Sequence, residues 1–319
     1  MPTIIKLENV HNRPKVCLAI GNFDGVHLGH QVLLQRIRDR ASSIKHHAWV
    51  LTFEPHPQIH FKGSSYKLLQ TYEQKYESIL ARNLDGIFVA DFNSKFREQS
   101  PHDFLTYLNK VLDLQAIQVG YDFRFGKAGA GNAQLMKDFF QKYNISVEIT
   151  HRQQNEGITY SSKNLRQAIN TGDTKYYFES AGRFFSIRGQ VIAGSQRGRT
   201  IGFPTANINP PENQVRLVPG VYAIRCIYKG KTLGGLANLG KAPTFNEHKH
   251  QLEVYFHNFK GDLYGEILDI QFIQQIREVK QFNSVDQLRS QIQNDIAWFE
   301  QHIMPQIEGM DCTVETEGV

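Results

Sequence analysis

GNFDGVHLGH, from Gly21 to His30, follows directly on an apolar run, Val16 to Ile20, and leads into the helical pattern of Gln31 to Ile44. The strand-to-helix turn therefore carries two histidines, His27 and His30, around a glycine. The first amides of a helix have no partners inside it, its dipole favours negative charge there, and glycines allow close approach to the backbone. Such a turn suits a phosphate chain, with two imidazoles as added donors. Two other readings stay open: the histidines cap the helix, or they ligate zinc. Zinc needs further ligands, and the nearest, Glu54, His56 and His60, stand in FEPHPQIH, whose prolines make a shared tetrahedral site awkward.

Outward from this turn, apolar runs at Val16 to Ile20, Trp49 to Phe53, Gly86 to Ala90, Ala116 to Val119 and Ile145 to Ile149 alternate with helical patterns at Gly29 to Ile44, Tyr72 to Ala81, Pro101 to Leu112 and Ala133 to Tyr143. This alternation predicts a parallel sheet with helices on both faces and ligands at the carboxyl ends of its strands. After about residue 184 the pattern changes to β-rich segments without intervening helices: Ile187 to Ala193, Val221 to Tyr228, Thr232 to Leu239, Leu252 to Phe259 and Tyr264 to Ile273. Five such strands predict an antiparallel barrel or sandwich. A last helix starts at Ser284, with Gln287 as its capping-box partner, and carries Val285, Leu288, Ile292, Ile296, Phe299 and Ile303 on one face. The domains expected are 1–183 and 184–308, with an acidic tail, 309–319, that frays.

The 319 residues are enough for two such cores, and 40% hydrophobic with 21% charged residues is the balance of a folded globular chain. A net charge of +5 without a long Lys/Arg run does not demand nucleic acid. Cys17, Cys226 and Cys312 are odd in number and form no CxxC, which argues against a disulfide framework and for a reducing compartment. Neither a signal peptide nor a membrane span is read in the sequence, so the expected location is the cytoplasm and no membrane partner is expected. Nothing specifies an oligomer.

HLGH resembles the HxGH motif of nucleotidylyltransferases and class I aminoacyl-tRNA synthetases, and the longer GNFDGVHLGH closely resembles the amino-terminal motif of bacterial bifunctional riboflavin kinases/FMN adenylyltransferases. VGYDFRFGKAGAGN, Val119 to Asn132, is similar to that family's flavin- and nucleotide-side loop, with Asp122 where the family carries Asn or Asp. YSSKNLR, Tyr160 to Arg166, resembles its SSTxIR motif, with Lys163 in place of Thr and Asp173 at the family's spacing. The resemblance implies an α/β, Rossmann-like nucleotidylyltransferase domain followed by a riboflavin-kinase-type antiparallel β-barrel with a C-terminal helix. It implies that His27, His30 and Arg166 hold ATP phosphates while FMN is adenylylated to FAD. Gly21, Phe23, Asp24, Gly25, Gly29, Asp122, Ser161, Ser162 and Asp173 are then ATP- or flavin-binding residues. Without it, Ser161 and Ser162 read as a helix cap. Tyr121, Phe123, Phe125 and Phe245 are each either flavin stackers or core.

RGQVIAGSQRGRTIGFPTANI, Arg188 to Ile208, has no P-loop pattern, although Gly194, Gly198 and Gly202 leave room for backbone amides to cradle phosphates. Its GFPTAN looks like the PTAN motif of riboflavin kinases. The resemblance assigns Gly198, Arg199, Gly202 and Pro204 to ATP or flavin, and Thr205 and Asn207 to Mg2+; a plain structural turn is the alternative. LEVYFHNFKGDLYG, Leu252 to Gly265, is similar to the family segment with the catalytic glutamate, which falls on Glu253, with Tyr255 and Asn258 where the family commonly has His and Asp. The substrates implied are ATP, riboflavin and FMN. Two other functions are weighed: a lone nucleotidylyltransferase whose β-domain only binds, and a synthetase-like protein with an RNA-binding barrel. The first leaves GFPTAN and Glu253 without work, and the second lacks a basic patch and aromatic RNA motifs.

Overall fold

A computed structural model describes residues 3–155, 158–194, 198, 201–241 and 250–307. Two compact units follow one another, the first ending at Leu165 and the second starting at Arg166. In the first unit the order is β1 (Thr3–Lys6), β2 (Lys15–Ile20), α1 (Leu28–Ser43), β3 (His47–Glu54), α2 (Pro57–Lys62), α3 (Tyr72–Leu80), β4 (Gly86–Asp91), α4 (Ser94–Arg97), α5 (Pro101–Val111), β5 (Asp113–Gly120), β6 (Arg124–Phe125), β7 (Gly131–Asn132), α6 (Ala133–Gln141), β8 (Ser146–Thr150), β9 (Gln154–Asn155) and β10 (Ile158–Thr159). Helix α7 (Ser162–Thr171) runs across the division between the units.

Six strands form one parallel sheet in the order β1-β4-β3-β2-β5-β8. Residues 16 to 20 of β2 are all buried because both faces of the sheet are covered. Cys17 and Ala19 join Leu33, Leu34 and Ile37 of α1 on one face. Val16, Leu18 and Ile20 join Phe104 and Leu108 of α5 and Met136 and Phe140 of α6 on the other. Burying each large aliphatic side chain contributes about 2 kcal/mol. Helix starts are written in the sequence: Thr71 and Gln74 form a capping box at α3, while Ser100 caps α5 just before Pro101. The edge strand β1 and the short α2 were not among the expected elements, since four and six residues are too few for either period to register.

The second unit continues with α8 (Thr174–Ala181), β11 (Phe185–Ile192), β12 (Ala206–Asn209), β13 (Gly220–Tyr228), β14 (Lys231–Lys241), β15 (His250–Phe256), β16 (Ile267–Arg277) and α9 (Val285–His302). Its six strands close an antiparallel barrel in the order β11-β12-β15-β14-β13-β16. The expected count of five omits β12, Ala206–Asn209, whose first two residues are the last two of GFPTAN. Ser284 caps α9 by accepting the Gln287 N–H at 3.2 Å, and the Gln287 side chain reaches the Asn283 N–H at 3.1 Å rather than that of Ser284.

Only the second half of the predicted α9 face is buried. Phe299 and Ile303 pack with Ala223, Leu236 and Ile307, whereas Val285 is 57% exposed. The buried Asp295 holds Arg277 of β16 through contacts of 2.8 to 3.0 Å, which fixes the helix midway along its length.

Candidate functional site

Ile20 ends β2 inside the sheet, and Gly21 to Val26 climb from there to α1. Three residues of this turn have positive φ: Phe23 at 51°, Gly25 at 77° and Val26 at 32°. Such angles cost non-glycine residues energy unless the surroundings over-determine them. Phe23 is fully buried, and its ring meets the His30 ring edge-on at 5.2 Å. The Asp24 carboxylate, 4% exposed, accepts the Leu69 N–H at 2.9 Å and the Tyr66 hydroxyl at 3.2 Å. Gln31 of α1 donates to the Val26 carbonyl at 2.9 Å. A side chain on Gly25 would press on Leu69 and Leu165, so that glycine serves the turn itself.

His27 is the N-cap of α1, its Nδ1 accepting the His30 N–H at 3.2 Å. The two imidazoles stack with centroids 3.7 Å apart and planes 20° from parallel. Capping and ligand contact are therefore compatible: the Nδ1 edge of His27 holds the helix while both rings line a cavity of about 560 Å3. Gly21, Asn22, Phe23, Asp24 and Gly29 line it too, as do Asp122, Ser161, Ser162 and Lys163. Ser161 Oγ accepts the Asn164 N–H at 3.1 Å, and Ser162 Oγ donates to the Asp24 carbonyl at 2.8 Å, so the start of α7 is tied to the histidine turn. Gly25 and Arg166 are not among the lining residues, and Asp173 caps α8 by accepting the Tyr176 N–H at 2.9 Å. Among the described residues no group of three or more His, Cys, Asp or Glu is arranged to hold a metal ion, so the zinc reading lacks its further ligands.

Of the aromatics weighed as flavin stackers, Tyr121, Phe123 and Phe125 all line the cavity. Tyr121 is 50% exposed, whereas Phe125 is 6% exposed and belongs to the core. Phe245 lies outside the described residues. Wall residues given no role in the sequence reading include Asn22, Tyr66, Phe92, Phe96 and Arg152. Asn22 Oδ1 is buried with no hydrogen-bond partner among the described residues, in a residue that lines the cavity. Behind the turn, Lys75 of α3 donates to Thr52 Oγ1 at 3.2 Å, and Thr52 donates to the Asn22 carbonyl at 3.2 Å. Lys75 is 4% exposed, and burial lowers its pKa to about 8 against the opposing pull of Glu54 and Asp24. Burial likewise pushes the Glu54 carboxyl above its ordinary value, with Lys75 opposing. The available signal was a lysine four residues before Ile79 on the buried side of an amphipathic pattern.

In the barrel, β12 pairs with β15 so that Asn207 lies opposite Glu253, and Glu253 lies opposite Asn238 of β14. Paired residues share a face, and the neighbours Leu252 and Val254 turn inward, 1% and 0% exposed, so Glu253 and Asn207 point outward together. A methyl group on Gly194 would collide with the Asn207 amide, and one on Gly198 would lie 3.2 Å from Thr205 Oγ1. The glycines thus leave space that Asn207 and Thr205 occupy. The turn is drawn together by the Gly198 carbonyl, which accepts the Phe203 N–H at 2.8 Å. Gly202, with φ of 92°, has open space where a Cβ would stand, and Pro204 follows it into β12. Arg199 lies outside the described residues. Tyr255 meets Phe203 of GFPTAN edge-on at 6.1 Å, and Asn258 takes a left-handed φ of 55°, which Asn tolerates better than most residues.

Residues 9–164 match the family model for FAD synthetase, and residues 181–303 match that for riboflavin kinase. The chain is 34% identical over 299 residues to the bifunctional riboflavin kinase/FMN adenylyltransferase of Haemophilus influenzae, covering 91% of this chain and 96% of that one. It belongs to that family. The Escherichia coli K12 relative of the same description is 33% identical over 300 residues, covering 92% of this chain and 96% of its own. A solved Streptococcus pneumoniae structure, described as a macrolide-efflux protein, matches with a TM-score of 0.84 and 27% identity, over 92% of this chain and 96% of that one. No helix among the described residues is long and apolar enough to cross a membrane. The chain thus joins an FMN adenylyltransferase domain to a riboflavin kinase domain, both users of ATP.

Proposed function

We propose that the cavity beside His27 and His30 is where FMN is adenylylated, and that the Asn207–Glu253 face of the barrel is where riboflavin is phosphorylated to supply that FMN. The stacked histidine pair at the start of α1, facing ligand space, is the observation that carries the first assignment. A volume of about 560 Å3 is in the range that takes small-molecule substrates.

There an FMN phosphate oxygen attacks the α-phosphorus of ATP. A new phosphorus–oxygen bond forms, the bond to the bridging oxygen breaks, and pyrophosphate leaves with that electron pair. No covalent enzyme intermediate is needed, so the protein's work is alignment and charge neutralisation. His27 and His30 perform it beside the amides of α1. The family resemblance gives Arg166 the same phosphates, Asp122 and Ser161 to Lys163 the walls, and Asp173 a place near the nucleotide.

In the kinase domain, taken as residues 184–308, Glu253 accepts the proton of the riboflavin primary alcohol as its oxygen attacks the γ-phosphorus and ADP leaves. Thr205 and Asn207 offer the hard oxygen donors that suit Mg2+, in the space left by Gly194 and Gly198. When bound, the ion neutralises phosphate charge; Gly198, Arg199, Gly202 and Pro204 shape the turn around the nucleotide. The buried free thiols of Cys17 and Cys226 support a cytoplasmic setting.

Incubation with riboflavin, ATP and Mg2+, followed by chromatography, tests the assignment: FMN should form first and FAD after it. Absence of flavin product from riboflavin and from added FMN alike would overturn it.

A further inference from the structure

Beneath the histidine turn lies a charged group that phosphate binding itself does not require. Lys75 on α3 is buried, and its ammonium reaches Thr52 of β3, whose hydroxyl in turn donates to the Asn22 carbonyl. Asn22 is where the turn leaves β2, and its side-chain oxygen is the buried, unpartnered acceptor in the cavity wall. We infer that Lys75 is a positioning residue for adenylyl transfer, its ammonium holding the Asn22–Asp24 turn, through Thr52, in the shape that presents Asn22, His27 and His30 to the substrates. This rests on the reading of that cavity as the adenylyl-transfer site.

Three observations support the inference. The turn is held at positive φ at Phe23 and Val26, so it relaxes if its supports are withdrawn. The ammonium is enclosed by groups that favour charge: Glu54 from β3, Asp24 from the turn, and the rings of Tyr72 and Tyr76 at 5.0 and 5.3 Å on its own helix. Burying a cation is costly, and an apolar residue of similar size would serve packing alone better. The neighbours Glu73 and Lys6 act on Glu54, with opposite signs, and so enter any titration of this cluster.

The charge gives the position a signature that packing lacks. Burial brings Lys75 to about 8, so the ammonium is present below that pH and lost as pH rises through it. Adenylyl transfer should therefore decline through about pH 8. Stability should move the other way: between the folded value and the higher unfolded one the unfolded chain binds more protons, so stability rises with pH over that interval.

The experiment compares the full-length parent with Lys75→Met, Lys75→Arg and His30→Ala, measuring FMN adenylylation and riboflavin phosphorylation in each from pH 6.5 to 10. Lys75→Met should lower kcat for adenylylation about tenfold or more while riboflavin phosphorylation stays within about twofold. Lys75→Arg, whose guanidinium stays charged, should retain adenylylation and lose the alkaline decline. If Lys75→Met loses both activities, Lys75→Arg decides: a persistent alkaline limb overturns the inference. Parental adenylylation by Lys75→Met overturns it as well. If instead His30→Ala adenylylates FMN at the parental rate, the reading of the cavity fails, a result distinct from either.

Discussion

The histidine turn and the GFPTAN turn, the two places proposed above for ATP, are built on different principles. The first is concave: a helix start, two stacked rings and the start of α7 around a cavity, supported by a buried lysine. The second is an outward face of a barrel, where strand register sets Asn207 beside Glu253 and glycines leave room for the side chains next to them. The contrast follows the chemistry. Attack at the α-phosphorus uses a phosphate already ionised, so the site needs donors and no base. Attack at the γ-phosphorus starts from an alcohol, so the site needs a carboxylate and room for a cation.

If the two regions work separately, damage to one leaves the other's product intact. The largest effect is expected from Glu253→Gln, which should slow riboflavin phosphorylation by about 10²- to 10⁴-fold while FMN adenylylation, assayed with added FMN, stays near the parental rate. Joint loss in a folded variant would end the two-site account. His30→Ala should do the reverse, slowing adenylylation about 10²- to 10³-fold and sparing the kinase. Gly194→Ala sharpens the comparison, because its methyl displaces the Asn207 amide: riboflavin phosphorylation should fall about tenfold, with adenylylation unchanged. An unaltered kinase rate would show that Asn207 need not keep its present place. The smallest effect belongs to Ser284→Ala, which removes the cap of α9 at a cost of about 1 kcal/mol. A melting midpoint lowered by about 2–4 °C with both activities retained is the expected outcome.

Much of this architecture is legible in the residue pattern itself. Alternation of strand and helix gave the parallel sheet because β2 is buried on both faces and so reads as an unbroken apolar run. The barrel was legible from successive strands with no helix between them. What failed to register were short or tertiary features. Strand β12 is four residues of mixed burial, and its strand character comes from pairing with β11 and β15. The half-exposed face of α9 has a perfect helical period, because period records which residues could be buried and not how far the barrel extends beneath them. Lys75 was readable only as an anomaly; the group its ammonium reaches, Thr52, lies 23 residues away in sequence, and Asn22, which Thr52 reaches in turn, a further 30. For Ser161 the capping reading holds, its hydroxyl accepting the Asn164 N–H at the start of α7, and the residue also lines the cavity.

The closed barrel has one more consequence. A sheet joined end to end leaves no edge strand, so among the described residues of the second unit the barrel offers no free edge for another chain to extend. The six-stranded sheet of the first unit has open edges at β1 and β8, and both are short: four residues ending in Lys6, and five with an exposed Glu148 at the centre. During synthesis the open-edged half leaves the ribosome first, and its guard against sticking to its neighbours is brevity and charge at those two rims.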